Sequence, residues 1–119
     1  MDHEVFDKAE LLSRLEGDEE ILAEMIGIFL AECGPMVQHV SDAATSQDAA
    51  GLERSAHKLK GSLSIFGSRA AMQSAQILET MGHDGDLCSA AEVLARLREQ
   101  ITALEKALSD LREPKCPKS

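Results

Sequence analysis

The sequence predicts an all-α fold, an antiparallel bundle of packed helices, on three observations. Apolar residues recur at three- and four-residue spacings and no segment alternates with period two, so helices are expected and strands are not. Ala, Leu, Ile and Met must fill the core, because the chain has three Phe and no Trp or Tyr, a composition suited to helix packing. Towards the C-terminus Leu87, Leu94, Ile101 and Leu108 alternate with Ala90, Leu97, Leu104 and Leu111 in a seven-residue rhythm. Such a seam packs as one stave of a bundle whose helices lie about 20° off parallel.

The elements follow in order. Asp7 with Glu10 three residues on starts a short helix through Leu11, Leu12 and Leu15, closed by Gly17. Asp18 caps a longer helix carrying Ile21, Leu22, Met25, Ile26, Phe29 and Cys33. Gly34-Pro35 is expected to stop it, with Pro35 opening the next helix, where its missing N–H costs nothing. That helix uses Met36, Val37, Val40, Ala43 and Ala44 and fades at Thr45-Ser46-Gln47. Asp48 caps a helix that runs to Gly67, and Ser68 caps the one after it, which contains Met72, Ala75, Leu78 and Glu79. His83-Asp84-Gly85 reads as a turn, and Asp86 as the start of the last helix. The tail from Glu113 to Ser119 is expected to be flexible, which leaves residues 1–112 as one domain.

Composition narrows the function. At 119 residues the chain makes a single domain with a real core. A net charge of −9 argues against nucleic acid, whose binding needs a basic face, and against an anionic membrane surface. A protein partner remains, with acidity keeping the domain soluble and monomeric. Three cysteines (Cys33, Cys88 and Cys116) show no C-x-x-C spacing and leave an odd count, the pattern of reduced thiols in the cytoplasm. No apolar run reaches the ~18–20 residues of a membrane span, and Met1-Asp2-His3-Glu4 begins no signal peptide. A cytoplasmic location is expected. His3, His39 and His83 sit on separate elements without ligand spacing, so no metal site is expected either.

Chemistry concentrates in Ala56-His57-Lys58-Leu59-Lys60-Gly61. At about 100° per residue from Leu52, the positions Ala56, Leu59, Leu63 and Phe66 fall within about 40° and form the core stripe. His57 lies at about 140°, Gly61 near 180°, Ser64 near 120° and Lys60 near 80°. The imidazole therefore points off the core, with a cation one turn on and no bulk at Gly61. This suits a group that carries a phosphoryl. An ordinary solvated face would show the same histidine and lysine, and Gly61 is what tips the balance. A mid-helix glycine costs roughly 1 kcal/mol against alanine, which close approach by another backbone or a reacting group would offset. If the helices on either side of Gly67-Ser68 form a hairpin, Glu79, at the edge of the stripe Ala71, Ala75, Leu78 and Gly82, can face His57. Its carboxylate would accept from Nδ1–H and leave Nε2 as the nucleophile; an ordinary surface ion pair is the alternative. On the Asp18 helix two apolar stripes run side by side, Leu22, Ile26, Phe29 and Cys33 beside Ile21, Met25 and Ile28. The second is either a docking patch or core covered by the first helix.

Ala56-His57-Lys58-Leu59-Lys60-Gly61-Ser62 with Gly67, followed by Leu78-Glu79, closely resembles the histidine-containing phosphotransfer (HPt) domain of bacterial phosphorelays. The segments from Leu11 to Asp18 and from Phe29 to Glu32, and the Gly85-Asp86 turn, fit as well, so the resemblance spans nearly the whole chain. It implies an up-down four-helix bundle capped by one or two short N-terminal helices. It implies that His57 is the phosphoacceptor, that Lys60 counters phosphoryl charge, that Gly61 gives access and that Glu79 orients the ring. Lys58 would add a second cation at the docking face, with Ile21, Met25, Ile28 and Ser64 meeting the partner. The implied partners are receiver domains of response regulators or hybrid histidine kinases. They would bring Mg²⁺, so that this chain holds no cofactor and acts as a phosphocarrier, not as an enzyme in its own right.

Two neighbouring families and one other class compete. In the dimerisation domain of sensor histidine kinases an acidic residue follows the histidine, where this chain has Lys58. The phosphoacceptor domain of chemotaxis-type kinases shares the motif and is filled from ATP by a separate domain. A helical adaptor that binds receivers without transferring phosphate would not need the His57, Lys60 and Gly61 set.

Overall fold

The computed structural model describes residues 13, 15–16, 18–66 and 68–112, the last two by their backbone alone. Most of the expected first helix, Gly67, and the tail 113–119 lie outside the described residues. Four helices run through the rest: α1 Glu19–Thr45, α2 Ala49–Phe66, α3 Arg69–Asp84 and α4 Ala90–Arg112. No strand occurs among the described residues.

Asp18 begins α1 as expected, its carboxylate accepting from the N–H groups of Glu20 and Ile21 at 3.1 Å. The expected break at Gly34-Pro35 does not occur, and α1 runs through Pro35 for 27 residues. Two facts explain why the proline fails to stop it. The buried row Leu22, Ile26, Phe29, Cys33, Met36, Val37, Val40, Ala43 and Ala44 keeps its phase across residue 35, so breaking the helix would take half of it off the core. Pro35 and Ala31 are both exposed, so the Ala31 carbonyl that the proline leaves unbonded faces water. Two of the expected helices are therefore one.

The helix ends at Thr45, where Gln47 takes a left-handed φ of 60°. Asp48 then caps α2 by accepting from Gly51 N–H at 3.0 Å. Ser68 holds the N-cap conformation for α3, but its hydroxyl caps nothing and is buried. The expected turn at His83-Asp84-Gly85 is narrower than read, because His83 and Asp84 are still helical. Gly85 alone supplies the left-handed C-cap (φ 76°), the conformation an L side chain resists. The last helix starts at Ala90 and not at Asp86, whose carboxylate instead closes a local turn onto Cys88 N–H at 3.2 Å. Leu87 still packs on the core from that turn.

Each helix packs against two neighbours, α1 on α2, α2 on α3, α3 on α4 and α4 back on α1, a four-helix bundle closed on itself. The last seam is the one expected: Ala90, Leu94, Leu97, Ile101, Leu104 and Leu108 are all buried. Phe29 and Phe66 meet edge to face, ring centroids 5.1 Å apart, and lock α1 to α2.

Candidate functional site

The α2 stripe Leu52, Ala56, Leu59, Leu63 and Phe66 is buried as the angular count requires, and this turns His57 outward with 68 % of its side chain exposed. On α3 the buried row Ala71, Ala75, Leu78 and Gly82 leaves Glu79 at its edge, 18 % exposed. Gly82 sets how near the two helices come. A Cβ there would sit 2.5 Å from Glu53 N and 2.6 Å from Ala49 O, so only a bare Cα fits the seam.

At that spacing His57 Nδ1 lies 2.9 Å from Glu79 Oε2. A carboxylate can only accept, so Nδ1 carries the proton and the Nε2 lone pair is left free. Lys60 Nζ stands 2.9 Å from the other oxygen, Oε1, and donates its hydrogen bond to Gln76 Oε1 at 2.5 Å. The Lys60 ammonium, above all through its hydrogen bond, holds the Glu79 carboxyl below its ordinary value of 4.5; desolvation opposes this, and the His57 ring adds to the lowering. Glu79 is therefore ionised at neutral pH, one carboxylate shared between a ring and an ammonium.

Gly61 is exposed, and nothing lies within 4 Å of where its Cβ would be. Among the described residues, no backbone beyond its own helical turn approaches it. The missing side chain leaves open space one turn beyond His57. Lys58 is exposed on the same helix. Ser64 is exposed too, but its hydroxyl is turned back onto the Gly61 carbonyl at 2.6 Å.

The expected patch on α1 is split by the fold. Ile21 and Ile28 are 43 % and 59 % exposed, whereas Met25 is partly buried against the core. Beside His57 is a different surface, an open groove of about 860 Å³ whose α1 wall is Met36, His39, Asp42 and Ala43. Ile28 and Ile21 belong to the helical row that leads to His39, about 16 and 27 Å further from it at 1.5 Å per residue. The α1 patch and the ring are thus not in one place.

Sequence reading missed two contacts that the hairpin register sets. Gln76 lies three residues before Glu79 and Lys60 three after His57, so an antiparallel pair brings them opposite one another. One turn the other way, His83 Nδ1 meets Glu53 Oε2 at 3.3 Å, a second imidazole–carboxylate pair across the same seam. Counting outward from the His57–Glu79 pairing would have found both. Among the described residues no three His, Cys, Asp or Glu side chains are grouped to hold a metal ion. No helix there is long and apolar enough to cross a membrane.

Comparison with known proteins gives three findings. A family model described as the Hpt domain matches residues 24–107. The fold is similar to that of the crystal structure of histidine-containing phosphotransfer protein B (HptB) from Pseudomonas aeruginosa PAO1, with a TM-score of 0.86 at 20 % identity over 93 % of this chain and 96 % of that one. No curated protein sequence matches.

Proposed function

Because the chain belongs to the Hpt domain family, we propose that it shuttles a phosphoryl group between receiver-domain aspartates and His57, as a carrier that needs a partner for either half of the cycle. The observation that carries this reading is the His57 ring, its side chain 68 % exposed and tied at Nδ1 to Glu79 by a 2.9 Å contact. In the forward step Nε2 attacks the phosphorus of an aspartyl phosphate. The acyl P–O bond breaks, the N–P bond forms and the aspartate leaves as carboxylate. The Nδ1 proton stays on the ring, which becomes cationic against the ionised Glu79, and the reverse step uses the same atoms. Phosphoryl transfer passes through a loose transition state, so positioning and charge supply most of the rate. Lys60 is the cation at this seam and Gly61 the gap beside the ring; Lys58 and the α1 wall of the groove beside His57 would meet the receiver.

The receivers would belong to response regulators or hybrid histidine kinases and would bring Mg²⁺. A monomer in the cytoplasm fits the acidic surface and the absence of a membrane-spanning helix among the described residues. Incubation with a receiver charged with acetyl phosphate and Mg²⁺ is expected to place acid-labile, base-stable phosphate on the protein. Label retained by His57→Gln would refute the assignment.

A further inference from the structure

The ammonium of Lys60 has a partner beyond Glu79, and the chemistry of that partner matters. Gln76 Oε1 accepts from Lys60 Nζ, while Gln76 Nε2 donates to Thr80 Oγ1 at 3.1 Å. The ammonium fixes the amide the right way round, since it can only donate and must be offered the oxygen, and the Thr80 hydroxyl, which can accept, takes the Nε2 donor. Lys60 is 26 % exposed, so its long side chain is held along the α2–α3 seam and not waving in solvent. Glu79 already draws on the charge of Lys60, and a second charged anchor would leave still less of it for a phosphoryl dianion. A neutral amide restrains the ammonium and leaves its charge in place.

We infer that Gln76 is a positioning residue for phosphoryl transfer, acting through Lys60 as an uncharged tether that holds the ammonium on the His57 side of the seam. The inference rests on the carrier reading above. Gln76 touches neither the ring nor the phosphoryl group, so its whole effect passes through the lysine.

A double-mutant cycle tests it, with transfer rates from a receiver charged with acetyl phosphate measured for the full chain. Gln76→Ala frees the ammonium and is expected to slow labelling of His57 about threefold, in line with the sensitivity of such reactions to placement. Gln76→Glu sets a second carboxylate on Lys60 and is expected to slow it about tenfold. In a Lys60→Ala background both substitutions should have no further effect, because their target is gone. Equal slowing with and without Lys60, or a Gln76→Glu protein as fast as wild type, would overturn the inference. Wild-type protein that no receiver labels would instead remove the carrier reading itself. Thermal melts of the variants identify any that lose rate by unfolding, a loss that would persist in the Lys60→Ala background.

Discussion

At position 61 the chain gives up a side chain in mid-helix and nothing among the described residues fills the space. Stability and function should therefore part company there. Gly61→Ala is expected to raise stability by about 1 kcal/mol through helix propensity, read from urea denaturation, and at the same time to slow labelling of His57. A variant both more stable and equally fast would show that the gap serves no approach. The residues at this scale were legible where one helix sufficed. The outward angle of His57 and the flanking angle of Lys60 come from counting along α2 alone. The reach of Glu79 required a guess about the hairpin, and Gln76 was missed because it touches the ring only at second hand. The α1 patch was read from its two apolar stripes, which could not tell an exposed Ile28 from a half-covered Met25, nor how far either stands from the ring.

Between elements, the α2–α3 seam depends on Gly82. A methyl group there would have to displace backbone at Ala49 and Glu53, not a yielding side chain. Gly82→Ala is expected to destabilise the domain by about 1–3 kcal/mol, the usual cost of overpacking. It should also lengthen the contacts that Glu79 makes with Lys60 and His57, seen by NMR as a Glu79 carboxyl that titrates closer to its ordinary value. Wild-type stability and titration together would show that the seam has slack. The helix boundaries show where sequence signals compete. Asp18 and Asp48 cap as read, because a carboxylate beside a free N–H is a local matter. Pro35 did not stop α1, because the buried row on either side of it stays in phase and the freed carbonyl faces water. Asp86 closes a local turn and caps no helix, and the last helix starts four residues later.

For the molecule as a whole, the closed ring of helices predicts how its thiols behave. Burial, followed by the charge of Glu105 on α4 and its hydrogen bond, pushes the Cys33 thiol up to about 12, whereas Cys88 is exposed between α3 and α4. Cys88 is expected to react with an aromatic disulfide in the native state and Cys33 only as the bundle unfolds. Peptide-resolved mass spectrometry along a urea series checks this, and rapid native labelling of Cys33 would mean that the α1–α4 seam opens locally. The ring itself could be foreseen from the periodicity, but not the merger of two helices into one.

The hairpin of α2 and α3 is nearly the same seen from either end: turned about its middle, Glu53 and His57 fall on Glu79 and His83. Yet three places after His57 stands Lys60, and three places after His83 stands Asp86. One end of an almost palindromic device thus carries a positive charge at that place and the other, past the Gly85 cap, a negative one. The likeness fails one place further on as well, where Gly61 has Leu87 as its counterpart and the bare position at one end carries a core-packing side chain at the other.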